Sequence, residues 1–144
     1  LCTDIRIATP DARFGIPAAK LGIGYTADSL KPLVDLVGLS FAKEIMITAR
    51  LFDASEALGM GLVNRVVPAS AIAAYVDDYT SSISRNAPLS IRAAKAAINE
   101  LVRDSDVRDM ERARTWTAEC YDSSDYEEGR TAFMEKRPAA FTGR

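Results

Sequence analysis

Few residues of this chain can do acid–base or nucleophilic chemistry, because its 144 residues include no histidine. That excludes Ser-His-Asp and Cys-His mechanisms, histidine-ligated zinc and acid–base catalysis by imidazole. Chemistry must therefore come from carboxylates, tyrosine, lysine, cysteine or backbone amides. Two polar candidates are Tyr25, in a glycine-containing loop, and Lys136, which with Arg137 precedes Pro138. A lysine suits phosphate binding as a mobile point charge, although an ordinary solvated lysine would show the same pattern.

The composition argues against several classes of partner. The 18 Lys and Arg residues and the 20 Asp and Glu residues give a net charge of −2, which does not indicate binding to nucleic acid or an anionic membrane. No apolar stretch approaches the ~18 residues of a membrane span, and no basic region followed by an apolar one opens the chain. We therefore expect a soluble, untargeted, cytoplasmic protein, long enough to bury a hydrophobic core.

The two cysteines, Cys2 and Cys120, fit neither a metal-binding spacing nor a disulfide framework. We expect two reduced thiols, as is usual in the cytoplasm, and the alternative is a disulfide between them. The sequence accordingly predicts neither a metal site nor a permanently bound cofactor.

The hydrophobic pattern predicts short strands followed by a mostly helical remainder. The predicted strands span residues 5–8, 12–14 and 63–67. The predicted helices span residues 27–37, 41–48, 55–60, 70–84, 90–102 and 106–120, with a last one ending at Phe133. The predicted caps and stops are Thr26 or Asp28, Gly38, Ser40, and Ser123 or Ser124.

Three blocks of sequence resemble a known family. They are residues 14–23 (FGIPAAKLGI), 59–68 (GMGLVNRVVP) and 128–138 (EGRTAFMEKRP). In this order and spacing they resemble the enoyl-CoA hydratase/isomerase (crotonase) superfamily, over nearly all of the chain. The resemblance implies an α/β fold in which residues 1–68 belong to the C-terminal part of a spiral β-β-α core. It also implies that residues 69–144 form a mostly helical region that contacts other subunits of a homotrimer or a dimer of trimers.

The resemblance also implies that part of the active site lies outside these residues. Family members hold the acyl-CoA carbonyl between two backbone N–H groups, and both segments would precede Leu1. A strand at residues 5–8 with no upstream partner supports this expectation, because its backbone groups would stay unpaired. We expect a missing N-terminal part and an inactive isolated chain, since losing one such donor costs on the order of 10²–10³ in rate.

Ala18 is the most informative position of the first block. Hydratases of this family use two glutamates; one would precede Leu1 and the other maps onto Ala18, whose methyl group cannot carry a proton. We expect Ala18 to face the acyl pocket together with Ile16 and Ile23. The alternative is a shift of the loop that brings Asp28 or another acid into the pocket.

Tyr25 is the strongest remaining polar candidate for catalysis. Residues 21–26 (LGIGYT) and 121–129 (YDSSDYEEG) are most similar to the methylmalonyl-CoA decarboxylase branch, in which a tyrosine occupies the corresponding place. Decarboxylation fits Ala18, because the departing CO₂ leaves its electron pair to the thioester and no water needs a general base. Tyr25 would then orient the carboxylate by hydrogen bonding. The alternative is a tyrosine that caps the core with its hydroxyl in water.

The resemblance implies a role for the tail in binding coenzyme A. Lys136 would contact the phosphates or adenosine of a CoA thioester substrate, often from a neighbouring subunit. Family members often place an aromatic side chain near the adenine at the position of Thr117; Trp116 is adjacent, but core packing explains it as well. Two functions remain open. One is acyl-CoA chemistry through a stabilised enolate, by hydration, isomerisation or decarboxylation, and the other is a non-catalytic assembly module.

Overall fold

The computed structural model describes residue 1 and residues 3–144, so Cys2 and its predicted thiol lie outside the described residues. Two compact units are present, Leu1–Val76 and Asp77–Arg144. The structure is 58% helical with few strands, which confirms the predicted α/β class with a helical C-terminal region. The functional division at residue 68 stays a prediction.

The first unit combines short strands with helices. They are β1 (Ile7–Ala8), β2 (Arg13–Phe14), α1 (Ala18–Leu21), α2 (Ala27–Thr48), β3 (Phe52–Asp53), α3 (Ala54–Gly59) and β4 (Arg65–Val66). β1 pairs in parallel with β4, and β2 pairs antiparallel with β3, with Phe14 opposite Phe52. The three predicted strands are present as β1, β2 and β4, each shortened to two residues.

α2 consists of two helical segments that meet at Gly38. Gly38 has φ 76° and ψ 167°, a conformation that glycine adopts at little cost because it lacks a Cβ. The predicted stop is therefore confirmed, and so is the cap by Thr26, whose side chain accepts a hydrogen bond from Ser29 N. The predicted cap at Ser40 is wrong, because the helix resumes directly after Gly38 and Ser40 lies inside it.

The core of the first unit forms around α2. Its buried cluster comprises Leu33, Val37, Ala42, Ile45, Phe52 and Met60, against which the half-buried Ile16 packs. Phe52 is 1% exposed and is the largest fully buried side chain of the described residues; burying such a ring contributes roughly 1.5–3 kcal/mol. The next residue, Asp53, opens α3 with a capping box, in which it exchanges hydrogen bonds with Glu56. The core and this cap together fix the segment that leads into α3.

Helices make up most of the second unit. They are α4 (Ile72–Ser84), which begins in the first unit, α5 (Pro88–Leu101), α6 (Met110–Tyr121) and α7 (Ser124–Glu135). α5 packs along α6, and α6 contacts α7. α5 begins at Pro88 rather than at the predicted Ser90, because proline fits the first helical turn, where its missing N–H costs nothing.

The caps of α6 and α7 test two predictions. The predicted start of α6 at Asp106 is wrong, because Asp109 is its N-cap and accepts a hydrogen bond from Arg112 N at 2.8 Å. The backbone N–H of Asp109 in turn donates to the Glu100 carboxylate at 2.8 Å, a contact between the ends of two helices. The cap of α7 by Ser123 is confirmed.

Candidate functional site

The loop before α2 carries the residues that the sequence predicts for an acyl pocket. Ala18 begins α1 and is 3% exposed, and its carbonyl accepts a hydrogen bond from Ile23 N at 3.0 Å. Ile16 is half-buried against the core, whereas Ile23 and Tyr25 are 53% and 45% exposed. None of these residues lines either of the two cavities described for the chain. Their joint placement in an acyl pocket stays a prediction.

The ends of this loop are fixed by local chemistry. Gly22 ends α1 in the left-handed conformation, with φ 66°, and its N–H donates to the Ala18 carbonyl. At the other end, the Thr26 hydroxyl lies 2.8 Å from the Ser29 hydroxyl, in addition to its capping role. Asp28 is exposed in the first turn of α2, where a carboxylate interacts favourably with the helix dipole. This position gives Asp28 a structural explanation.

An ion-pair cluster surrounds Arg50, which lies two residues before β3. The Arg50 guanidinium donates to Glu56 at 2.7 Å and to Glu44 at 2.9 Å, and it lies 3.8 Å from the centroid of the Phe52 ring. The pairing holds the pKa of Glu56 below its usual value, helped by the hydrogen bond from Asp53 N. It also raises the pKa of Arg50, chiefly through Glu56 and then Glu44.

The spacing of the residues around Arg50 does not predict that they form a cluster. Glu44 and Glu56 each lie six residues from Arg50, a spacing that no single helix face brings together. One signal was available, because an aspartate followed three residues later by a glutamate resembles a capping box. Asp53 and Glu56 have this spacing, and it places Glu56 at the start of α3.

Lys136 lies immediately after α7, exposed, where the sequence pattern puts it. Its backbone is in the left-handed region, with φ 54° and ψ 39°, and its N–H donates to the carbonyls of Ala132 and Phe133. A residue other than glycine in this conformation is uncommon and costs free energy. A contact of its ammonium with phosphate stays a prediction.

Arg137, in contrast, is engaged within the chain. Its guanidinium donates two hydrogen bonds to the Glu128 carboxylate, at 2.6 and 2.8 Å, and a third to Glu135 at 2.6 Å. Ala140 N also donates to Glu128, at 2.8 Å. The ion pair with Arg137 and, to a smaller extent, the hydrogen bond from Ala140 N lower the pKa of Glu128 to about 2. Of the two basic residues, Arg137 therefore anchors the tail, while Lys136 extends into solvent.

The last residues fold back onto the start of α7. The Asp125 carboxylate, 3% exposed, accepts hydrogen bonds from Thr142 N at 2.7 Å and from Gly143 N at 2.9 Å. In return, Asp125 N and the Ser124 hydroxyl donate to the Arg144 carbonyl. No sequence pattern predicts this clamp, because it links positions 17 and 18 residues apart through loop backbone.

A cavity of about 650 Å³ lies among the helices of the second unit. Its walls include Ala93, Ala97, Thr117, Cys120, Tyr126 and Phe141. Trp116 is half-buried beside it, with the guanidinium of Arg112 4.5 Å from its ring centroid. Cys120 is a free thiol that donates to the Trp116 carbonyl. The Trp116 ring thus contacts the Arg112 guanidinium, and Thr117 lines the cavity.

Within residue 1 and residues 3–144, no helix combines the length and the apolar character that crossing a bilayer requires. The same residues contain no group of three or more Cys, Asp or Glu side chains placed to hold a metal ion.

Comparison with known proteins identifies the class. The family model described as "Enoyl-CoA hydratase/isomerase" matches residues 1–144, and the chain belongs to this family. It is 37% identical to the crotonyl-CoA hydratase of Syntrophomonas wolfei over 98% of the chain. It is 31% identical to the methylmalonyl-CoA decarboxylase of Escherichia coli over 99% of the chain. The resemblance on which the sequence analysis rests is thus confirmed, and the decarboxylase is among the relatives.

Solved structures support the fold. An enoyl-CoA hydratase/carnithine racemase from Magnetospirillum magneticum superposes with a TM-score of 0.86 at 35% identity, over 99% of the chain. The chain corresponds to 53% of that structure, to 54% of the Syntrophomonas hydratase and to 56% of the Escherichia coli decarboxylase. It therefore spans about half the length of these proteins.

Proposed function

We propose that this chain contributes to a site that binds coenzyme A thioesters and stabilises an enolate formed at the thioester carbonyl. The observation that carries the proposal is the family match over all 144 residues. The relatives named above are a hydratase and a decarboxylase of CoA thioesters, and stabilising charge at the carbonyl oxygen serves both reactions. Enoyl-CoA hydration or isomerisation is the family-level activity.

We infer further that the reaction resembles decarboxylation more than two-glutamate hydration. Ala18 is buried at the start of α1 and offers no proton donor or acceptor. In decarboxylation, the bond between the carboxylate carbon and the α-carbon breaks, and CO₂ leaves. The electron pair forms the enolate, which a proton from water then quenches. Tyr25, with its partly exposed ring, is the group proposed to orient the carboxylate.

Lys136 is the proposed contact for the phosphates of coenzyme A. Its exposure and its position beside the engaged Arg137 leave its ammonium accessible to a ligand. Subunit contacts in a trimer or a dimer of trimers are proposed for the helical unit. This is supported by Phe133 and Met134 on α7, which are 81% and 79% exposed, since large exposed apolar side chains mark interaction surfaces when they cluster.

The alternative is a non-catalytic assembly module. The resemblance assigns neither backbone donor of the oxyanion hole to these 144 residues, so we propose that they show no turnover by themselves. Ordered assembly without turnover is compatible with both readings, whereas turnover by the 144-residue chain would exclude the module. Binding of CoA thioesters is therefore the property to measure first.

A calorimetric comparison of two ligands tests the proposed reaction without requiring turnover. Tyr25→Phe removes only the hydroxyl, so binding of methylmalonyl-CoA should weaken roughly tenfold through the loss of a hydrogen bond to a charged group. Binding of crotonyl-CoA, which has no carboxylate, should not change. Equal effects on both ligands would remove Tyr25 from the proposal, and conversion of crotonyl-CoA to its hydrated product would contradict the decarboxylase-like reaction.

A further inference from the structure

The loop that carries the proposed acyl pocket passes very close to the backbone of Arg50. A Cβ added at Gly15 would lie 2.7 Å from the Arg50 carbonyl oxygen and 3.1 Å from a methyl carbon of Leu51. Ordinary Cβ contacts are never that short with a backbone oxygen, so any side chain at position 15 must displace one of the two segments. Glycine is required at position 15 because its backbone lies so close to that of Arg50. This requirement is separate from the freedom of glycine to adopt a positive φ.

The Arg50 carbonyl is the less movable of the two. Strand β3 begins two residues later with the fully buried Phe52. The Arg50 side chain is held by Glu44, by Glu56 and by the face of the Phe52 ring. Densely packed segments transmit strain and do not absorb it. A side chain at position 15 would therefore displace the loop more than it displaces Arg50.

The loop has little slack with which to absorb such a displacement. β2 ends at Phe14, which is opposite Phe52, and α1 begins at Ala18. Only three residues connect them, and one of these, Ile16, packs against the core. A shift at Gly15 is thus passed directly to Ala18.

We propose that Gly15 and Arg50 are positioning residues for the acyl pocket: the Arg50 carbonyl fixes the path of the chain at Gly15, and thereby the positions of Ala18 and Ile23. The identity of the pocket rests on the proposed function, whereas the contact between Gly15 and Arg50 does not. Neither residue touches the reacting atoms, and each acts through the loop.

Amide hydrogen exchange on the 144-residue chain tests the positioning directly. Lys20 N and Ile23 N donate to the carbonyls of Pro17 and Ala18, so their exchange reports the loop. Gly15→Ala should accelerate the exchange of both amides roughly tenfold. A factor of ten corresponds to about 1.4 kcal/mol, which lies within the usual cost of overpacking. Gly24→Ala is the matched control, because a Cβ there meets open space; it should leave both amides unchanged.

A double-mutant cycle separates positioning from general destabilisation. Arg50→Met removes the hydrogen bonds to Glu44 and Glu56, which should itself accelerate exchange at Ile23. It should also reduce the effect of Gly15→Ala, because the Arg50 carbonyl then keeps only the restraint from β3 and yields more easily. The proposal is overturned if Gly15→Ala accelerates amide exchange by the same factor with Arg50 and with Met at position 50. It is also overturned if Gly15→Ala unfolds the first unit while Arg50→Met leaves the exchange of Ile23 N unchanged.

Ligand binding provides the functional readout and distinguishes the two proposals. Gly15→Ala should weaken crotonyl-CoA binding roughly tenfold while leaving the affinity for coenzyme A itself unchanged, since only the acyl end meets the loop. An equal loss for both ligands would indicate a general defect and would overturn the positioning role. If neither ligand binds the unsubstituted chain, the proposed function fails. The inference about Gly15 and Arg50 is then decided by the double-mutant cycle, measured by amide exchange.

Discussion

Glu128 and Arg137 form a bidentate ion pair across the end of α7, with N···O distances of 2.6 and 2.8 Å. The same carboxylate accepts the N–H of Ala140. The pair therefore ties the chain that leaves the helix back to the helix itself. Lys136 lies between these anchored groups, and its own side chain is free of them.

The Glu128 pair predicts a pH dependence of the tail. Its pKa lies at about 2, below the usual 4.5, so the stabilisation is complete above pH 4.5 and is lost as the pH falls towards 2. The protection of the Ala140 amide, which is its exchange rate relative to the intrinsic rate at each pH, should fall across this window in the unsubstituted chain. Glu128→Gln should show low protection at every pH, whereas Glu127→Gln, an exposed neighbour, should keep the original profile. Identical profiles for Glu128→Gln and the unsubstituted chain would contradict the assignment.

Lys136 should show opposite effects on stability and on binding. Lys136→Gly relieves a left-handed backbone, φ 54°, and should raise the free energy of unfolding by about 1 kcal/mol. It should also weaken coenzyme A binding, because the ammonium is lost. Lys136→Ala is the matched control, since it loses the charge and keeps the strained backbone; calorimetry should show the same loss of binding without the gain in stability. Unchanged affinity in both variants would remove Lys136 from the site.

Ala18 should tolerate a carboxylate poorly. It is 3% exposed, so Ala18→Glu would bury an acid whose charged form is disfavoured, and its pKa should rise. Because the pKa of the new carboxyl is higher in the folded state than in the unfolded state, the variant is most stable at low pH. It should lose stability as the pH rises from about 4 to 7. Ala19→Glu, at the exposed neighbouring position, should show no such loss. Thermal unfolding across this range checks the prediction, and matching profiles would show that position 18 is open to water.

The Asp125 clamp should control the order of the last residues. Asp125→Asn replaces one acceptor oxygen by an NH₂ group that faces a backbone N–H, from Thr142 or Gly143. An unsatisfied buried donor costs about 1–3 kcal/mol, so both amides should exchange faster and the unfolding temperature should fall. Asp122→Asn, at an exposed position before α7, is the control. Unchanged protection of Thr142 and Gly143 in Asp125→Asn would show that the tail is held by other contacts.

The sequence predicted those features that local chemistry determines. Gly38 interrupts α2 and Ser123 caps α7, because a positive φ and a side-chain cap depend on one residue and its near neighbours. Asp106 was the wrong start for α6, since several acidic residues in one loop are equally suitable caps. The contact between Asp109 and Glu100 decides among them, and that contact is tertiary.

The candidate site shows the same division between local and long-range features. The position of Lys136 after a helix was readable from the sequence, whereas the partners of Arg137 and Asp125 were not. The burial of Ala18, the exposure of Tyr25 and the close approach of Gly15 to Arg50 are features of tertiary packing. No periodic pattern encodes such a contact between two loops.

Native mass spectrometry of the purified chain with added crotonyl-CoA or methylmalonyl-CoA tests the central claim most directly. It reports the number of subunits and the bound thioester in one spectrum. The account predicts a trimer, or a multiple of three, that retains the thioester, with less retained after Lys136→Ala. A chain that remains monomeric and free of ligand at every concentration would contradict it.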